Sequence, residues 1–298
     1  MVKINELNEL HTQRELAGKV FSATELDNET YHRGPGVSST TLKEFRKSAA
    51  HVYSFQNEPQ KEKKCFEFGS LVHDAVLLPE IFNDIYQTDE FAIAKCKSDS
   101  KKPRATTIYK DAVSNWKLTN PMGQIVSSYD MRLARGIKDA VLNHDTASIL
   151  LSDGIPEQAI FWTDEETGLL CKCKPDYLGE YLVDLKTTSS IDDEDFAISA
   201  YKFGYHISMG FYVMGIEAVL KKEVSPILIA VETESPFGVK VFPFGQDELM
   251  HGKMLARHFL NQYKKCLDTN NWPNYTPVAR ELKFPPWAWK KEERWMKK

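Results

Sequence analysis

One stretch limits the fold more than any other. The run Cys171-Lys-Cys-Lys-Pro-Asp-Tyr-Leu-Gly-Glu-Tyr-Leu-Val-Asp-Leu-Lys186 reads as two strands separated by Gly179-Glu180. Turn residues between apolar, β-forming segments predict a hairpin. Side chains alternate along a strand, so Asp184 and Lys186 share one face while Leu185 points into the core. Antiparallel pairing of the two strands brings Asp176 close to that face. Two carboxylates suit a hard divalent cation, and a lysine beside them can steer water, which together fit metal-assisted phosphodiester hydrolysis. A solvated surface hairpin is the competing reading of any single Asp-x-Lys. The preceding Pro175-Asp176 and the apolar lead-in Tyr181-Leu182-Val183 favour the chemical one.

The rest of the chain supplies layers for such a sheet. Ser38-Ser39-Thr40-Thr41 looks like an N-cap cluster opening a helix through about residue 55. Residues 66–78 predict a mostly buried helix stopped by Pro79, and 89–105 a polar, Lys-rich loop. Amphipathic helices are expected over 106–118 and 127–151. Strands are expected over 157–163, 169–178 and 181–187, helices over 192–202 and 204–220. Pro226–Glu232 is a continuous apolar run, which predicts a central strand, with 237–243 pairing to it. Residues 245–267 predict a long amphipathic helix, and the Pro- and Trp-rich tail an irregular segment. There is no internal repeat. The expected organisation is a single domain over 1–298: a mainly helical region 1–150, a sheet core 151–267 and a tail 268–298. Its fold class is α/β or α+β, a mixed central sheet flanked by helices with a helical N-terminal region.

Composition narrows the classes. Hydrophobic residues make up 42% and charged residues 27%, as in an ordinary globular chain. No apolar run is long enough to span a bilayer and the N-terminus lacks a signal-peptide core, so a cytoplasmic protein with no membrane partner is expected. Five cysteines without a C-x-x-C pair argue against a disulfide framework or a zinc ribbon; Cys171 and Cys173 read as small packing residues. The net charge of −4 does not suggest a general polyanion binder, but charge is uneven. Residues 95–104 carry five basic groups against Asp99 alone, and 280–298 carry seven against Glu281, Glu292 and Glu293. An acidic centre with local basic segments fits a metal-dependent enzyme acting on nucleic acid.

Four segments in order resemble the RecE-type exonucleases (exodeoxyribonuclease VIII), a branch of the PD-(D/E)XK nuclease superfamily. They are Tyr31–Leu42 with Ser48–Tyr53; Phe68–His73 with Leu77–Phe82; Asp176–Thr188, with Val-Asp-Leu-Lys-Thr-Thr at its centre; and Tyr205–Tyr212. The resemblance spans roughly residues 31 to 240. It departs at Ser208, where the related nucleases usually carry a glutamine, and this puts a side-chain contact near metal or DNA in doubt. It implies a restriction-endonuclease-like core, with Asp176 and Asp184 as principal ligands of Mg²⁺ or Mn²⁺, the Leu185 carbonyl as a further ligand, and His73 as a metal-ligating histidine. Lys186 would orient the attacking water.

Glu157, read as opening the first core strand, could complete the acidic site. Tyr205 and His206 could contact the scissile phosphate or buttress Lys186. Lys101, Lys102 and Arg104 are candidate phosphate contacts on the basic loop, and Trp287, Trp289 and Trp295 alternate with basic residues in the tail. The resemblance further implies an ATP-independent 5′-to-3′ exonuclease acting on double-stranded DNA ends in viral or prophage recombination. It also implies a ring-shaped homo-oligomer and a single-strand annealing partner. No G-x-x-x-x-G-K-[ST] loop is present, which argues against a built-in motor. A single-strand-specific or nicking nuclease, and a catalytically degenerate DNA-end-binding protein, remain as alternatives.

Overall fold

A computed structural model describes residues 13–58, 64–98 and 100–296. The first half is helical: α1 (Gln13–Leu16), β1 (Val20–Phe21), α2 (Asn28–Arg33), α3 (Ser39–Lys43), α4 (Ala49–Asn57), α5 (Lys64–Leu77), α6 (Pro79–Ile85), β2 (Tyr86–Thr88), α7 (Glu90–Ile93), α8 (Thr107–Thr119), β3 (Gln124–Val126), α9 (Ser128–Leu142) and α10 (Asp145–Leu150). Then come β4 (Gly154–Pro156), β5 (Ala159–Thr163), β6 (Leu170–Cys173), β7 (Tyr177–Gly179), β8 (Leu182–Thr188), α11 (Asp193–Phe203), α12 (Tyr205–Leu220), β9 (Pro226–Glu232), β10 (Val239–Pro243), α13 (Gln246–Thr269) and α14 (Pro286–Met296). No described helix is long and apolar enough to cross a membrane.

The main sheet has the order β10-β9-β8-β7-β4, so β8 is the middle strand and the apolar β9 lies beside it. Every pairing in it is antiparallel except β8 with β9, where Asp184 faces Leu228 and Lys186 faces Ala230. The parallel step needs a crossover, and α11 with α12 supplies it. β9 is buried on both faces because both are covered, which is what its unbroken Ile-Leu-Ile-Ala-Val requires. On one face Leu182, Leu228 and Ala230 pack with Phe211 and Ile207 of α12. On the other, Val183, Leu185 and Ile229 pack with Leu71, Val72 and Ala75 of α5 and Ile137 of α9. A second sheet, β1-β5-β6, is antiparallel, with Val37 bridged to Cys171 at its edge. Helices α12 and α13 meet backbone to backbone: a Cβ on Gly210 would run into the Lys253 nitrogen, and one on Gly252 into the His206 carbonyl oxygen. Only glycine permits that approach.

Several expectations need correction. The run 169–178 is not one strand. Pro175 interrupts it, and β6 and β7 belong to different sheets. The expected strand 157–163 begins at Ala159; Glu157 sits in the joint between β4 and β5, with a φ of 53°. The helix expected after Ser38 is broken into α3, a 3₁₀ turn at Glu44–Arg46, and α4, which Ser48 caps anew. Pro79 does end α5, but it also occupies the first turn of α6, where a missing N–H costs nothing. The stretch 89–105 holds α7 and a 3₁₀ turn at Pro103–Ala105 rather than a bare loop. The tail, expected to be irregular, ends in α14. Cys96, Cys171, Cys173 and Cys266 are free.

Candidate active site

The chain passes between the two sheets twice, and the two passages lie side by side. Glu157 marks the first, from β4 to β5. Lys174-Pro175-Asp176 marks the second, from β6 to β7. The Glu157 N–H donates to the Asp176 carbonyl oxygen at 3.0 Å and fastens the passages together. Beyond Tyr177, β7 no longer pairs with β8, so the Leu185 N–H has no strand partner on that side. The Asp176 carboxylate takes its place, with Oδ2 accepting from Leu185 at 2.8 Å. The end of the strand pairing thus aims an acid at the middle strand.

Three side chains converge there: His73 of α5, Glu157 and Asp176 each bring one ligand atom to within 4.8 Å of the others. His73 Nδ1 stands 3.5 Å from Asp176 Oδ2. The Lys186 ammonium lies 3.7 Å from the same oxygen, contacts Asp184, and donates to the Leu185 carbonyl oxygen at 3.1 Å. Asp184 is 3% exposed and lies outside the His73–Glu157–Asp176 triple, joined to it through Lys186. Its buried Oδ2 faces the Lys186 ammonium in an ion pair.

The electrostatics follow from crowding. Burial raises the Asp184 carboxyl above its ordinary value and Asp176 adds to this, against the pull of Lys186. Burial also acts to raise Asp176, but His73, Lys186 and the Leu185 N–H outweigh it and hold the group below the ordinary carboxylate value. Glu157 is raised, by burial first, with the Lys174 ammonium opposing. Burial would lower Lys186, yet Asp184 and Asp176 raise it well above the usual lysine value. Three carboxylates therefore share one corner with two ammonium groups. A hard cation fits this corner: its donors are carboxylate oxygens and one imidazole, three of them within 4.8 Å of one another. His73, Glu157, Asp176 and Asp184 would hold it.

The remaining expected residues fall unevenly. Lys186 lies over the Tyr205 ring at 5.5 Å, so Tyr205 adjoins the corner. His206 does not join it; its ring stacks between Tyr201 at 5.9 Å and His251 at 6.2 Å. Gly69, one turn before His73, has no described atom outside its own helix within 4 Å of where its Cβ would stand. Ser208 is buried in the core-facing side of α12. Lys101 and Lys102 are exposed. Arg104 is not a bare charge: its Nε donates to the buried Asp89 at 2.5 Å, beside the Tyr109 hydroxyl.

Sequence reading misses three groups. Lys174 ion-pairs with Glu157 and donates to Asn28 Oδ1 at 2.7 Å. Lys43, at the end of α3, is pushed down to about 8 by burial and then by Lys186. Tyr212 is raised by burial and by Asp184 and Asp176. Lys174 and Tyr212 lie inside or beside the motifs named above and Lys43 just after one, but spacing alone singles out none of them. Lys172, 4% exposed, donates to the carbonyl oxygens of Tyr31 at 2.7 Å and Gly34 at 2.6 Å, tying the segment before α3 to β6.

Comparison with known proteins agrees with this architecture. The pattern of the "PDDEXK-like domain of unknown function (DUF3799)" matches residues 38–281. The chain belongs to this PDDEXK-like family, and its mixed, helix-flanked sheet is the corresponding nuclease fold. A solved structure from Eubacterium rectale, named "Putative exonuclease", superposes with a TM-score of 0.57 at 13% identity, over 89% of this chain and 95% of that one. At that identity the likeness speaks for the fold. No curated protein sequence matches the chain.

Proposed function

We propose that this protein is a metal-dependent, ATP-independent deoxyribonuclease that degrades double-stranded DNA from its ends, 5′ to 3′. The observation that carries the reading is the buried acid corner, where His73, Glu157 and Asp176 converge and Asp184 is ion-paired with the Lys186 ammonium. His73, Glu157, Asp176 and Asp184 hold Mg²⁺ or Mn²⁺, with the Leu185 carbonyl as a further oxygen. The bound ion supplies Lewis-acid polarisation of a phosphate oxygen and a water of lowered pKa. Lys186 stays charged, orients the attacking water and offsets charge on the phosphate. Tyr205 fixes the lysine's approach through its ring.

The preference for duplex ends, the polarity, the recombination role, the ring-shaped assembly and the single-strand annealing partner are drawn from the likeness of the four segments to RecE-type exonucleases. The setting that follows is the cytoplasm of a bacterial or phage-infected cell.

One assay tests the reading. Linear duplex labelled at either 5′ or 3′ ends is incubated with Mg²⁺, Mn²⁺, Ca²⁺ or EDTA. Early release of mononucleotides from the 5′ label, only with Mg²⁺ or Mn²⁺, is expected. Cutting of circular or single-stranded DNA in preference to linear duplex assigns the same corner to a nicking or single-strand nuclease. Binding of duplex ends without turnover in any metal overturns the catalytic reading.

A further inference from the structure

Two cations outside the acid corner press on the joint between α11 and α12. The chain after Ser38 breaks into α3 and a 3₁₀ turn at Glu44–Arg46. Side chains three apart nearly eclipse in such a turn, so Lys43 and Arg46 share a face. Leu42 and Phe45 hold the turn in place, buried in the core with Ile207 of α12 and Phe259 of α13. A Cβ on Gly204 would stand 3.1 Å from Lys43 Cδ and 3.1 Å from Arg46 Nη1. Gly204 is left-handed, with a φ of 67°, so glycine serves both the turn and the close approach.

The two cations are held differently. Arg46 is exposed; its Nη1 donates to the Lys202 carbonyl oxygen at 2.9 Å, and its guanidinium lies over the Tyr201 ring at 5.5 Å. These contacts fix its plane and leave further N–H donors to spare. Lys43 is largely buried. Among the described residues no acid comes into ion-pair contact with its ammonium and no oxygen accepts from it. The acids that act on it, Asp184 and Glu44, are already paired with Lys186 and Lys47. The helix that starts here adds donors. α12 is 16 residues long, and Gly204 at its N-cap offers no side chain. The Gly204 carbonyl oxygen accepts from Ile207 and Ser208, which leaves the Tyr205 and His206 N–H groups without an intrahelical acceptor. An uncapped helix start beside two cations suits an oxyanion.

We propose that Lys43, Arg46 and the N-terminus of α12 form a second phosphate site, which takes the internal phosphodiester next along the strand from the one at Lys186. Tyr205 joins this site to the corner: it is the first residue of α12, and its ring lies under the Lys186 ammonium at 5.5 Å. The two sites are thus one residue apart, as neighbouring phosphates of one strand require. Burial first, and then the repulsion of Lys186, push Lys43 down to about 8, so an anion that settles between the lysines relieves both. His206 lies in the same field, lowered by burial and then by Arg46, His251 and Lys43. The site takes its substrate from the nuclease reading and adds a register to it: one phosphate is held at the helix while its neighbour is presented to the corner.

Neutral linkages test it. Linear duplexes carry one methylphosphonate, which keeps the shape of a phosphodiester and removes its charge, at the first, second or third linkage from an end. They are offered to the wild-type chain and to the Lys43→Met and Arg46→Gln variants, with binding read in Ca²⁺ and release of the first nucleotide in Mg²⁺. On all-phosphate DNA each variant is expected to bind about tenfold more weakly, the scale of one lost charge-assisted contact. A neutral linkage beside the scissile one is expected to weaken wild-type binding by a similar factor and the variants by clearly less. The same loss in wild type and variants overturns the proposal. So does a defect confined to 5′-phosphorylated ends and absent on 5′-hydroxyl ends, which makes the site a pocket for a terminal phosphate. Arg46 is exposed, so its variant is expected to keep the wild-type melting temperature, and it decides the matter if Lys43→Met fails to fold. The nuclease reading falls separately. The expected binding pattern without nucleotide release in any metal keeps the site and removes the enzyme; release without that pattern does the reverse. A chain that binds no duplex in Ca²⁺ overturns the site.

Discussion

At the scale of single residues, the corner is arranged so that its members fail in different ways. Lys186 does not coordinate as a cation, but it neutralises two carboxylates. Lys186→Ala is expected to lower turnover by about 10²-fold or more, the size of losing one charge-stabilising donor, while Mn²⁺ affinity is kept or rises. Asp184→Ala is expected to lose both. Calorimetric titration beside cleavage rates separates them, and near wild-type turnover in Lys186→Ala removes the lysine from the chemistry. His73 is half-buried at the end of a 3.5 Å contact with Asp176. As a ligand, its replacement by alanine weakens metal binding about tenfold or more, a typical scale for a metal-orienting group, with a small change in melting temperature. Unchanged affinity with a lowered melt makes it a packing residue instead.

At the scale of elements, the corner depends on chain passages rather than on one strand. Lys172 illustrates this, since its ammonium gathers carbonyl oxygens from the segment that leads into α3 and Lys43. Lys172→Met leaves those buried carbonyls unpaired and is expected to cost about 1–3 kcal/mol. Hydrogen exchange should rise first at Val37 and its bridge to β6, and an even rise over the whole chain would contradict the local tie. The same elements show how much is legible in the sequence. Asp184, Leu185 and Lys186 can be placed from alternation alone because β8 is regular. The apolar run of β9 reads itself out for the same reason. The joint at 174–176 escapes a reading that takes Pro175 as part of a motif and not as a residue that cannot donate within a sheet. The partnership of Lys174 with Glu157 joins positions from two separate passages of the chain, which no local periodicity encodes. Helix α14 escapes because prolines and tryptophans in its neighbourhood mimic an irregular tail.

At the scale of the whole molecule, burial raises Glu157 and Asp184 above their ordinary values, so holding both charged costs stability that a bound cation would offset. Mg²⁺ or Mn²⁺ at a hundred times its dissociation constant is expected to stabilise the protein by about 2.7 kcal/mol, and Asp184→Asn to abolish most of that rise. A thermal melt that ignores both ions means that the corner does not bind them. The basic loop needs a narrower test than simple neutralisation. Arg104 holds the buried Asp89, so removing it disturbs the local structure as well as any hold on a phosphate. Lys101→Ala with Lys102→Ala is the cleaner pair. Every phosphate that a lysine ceases to neutralise lowers the slope of log affinity against log salt by about 0.9 on duplex DNA. An unchanged slope takes the loop away from the DNA path.

Glu157 carries a last consequence. Its backbone adopts a left-handed conformation that glycine or asparagine reaches at lower cost. Any search for sturdier versions of this protein, scored on heat tolerance alone, will therefore be drawn to this position. There it will trade away a carboxylate of the acid corner, so that the hardiest clones of such a selection become the ones least able to hold an ion.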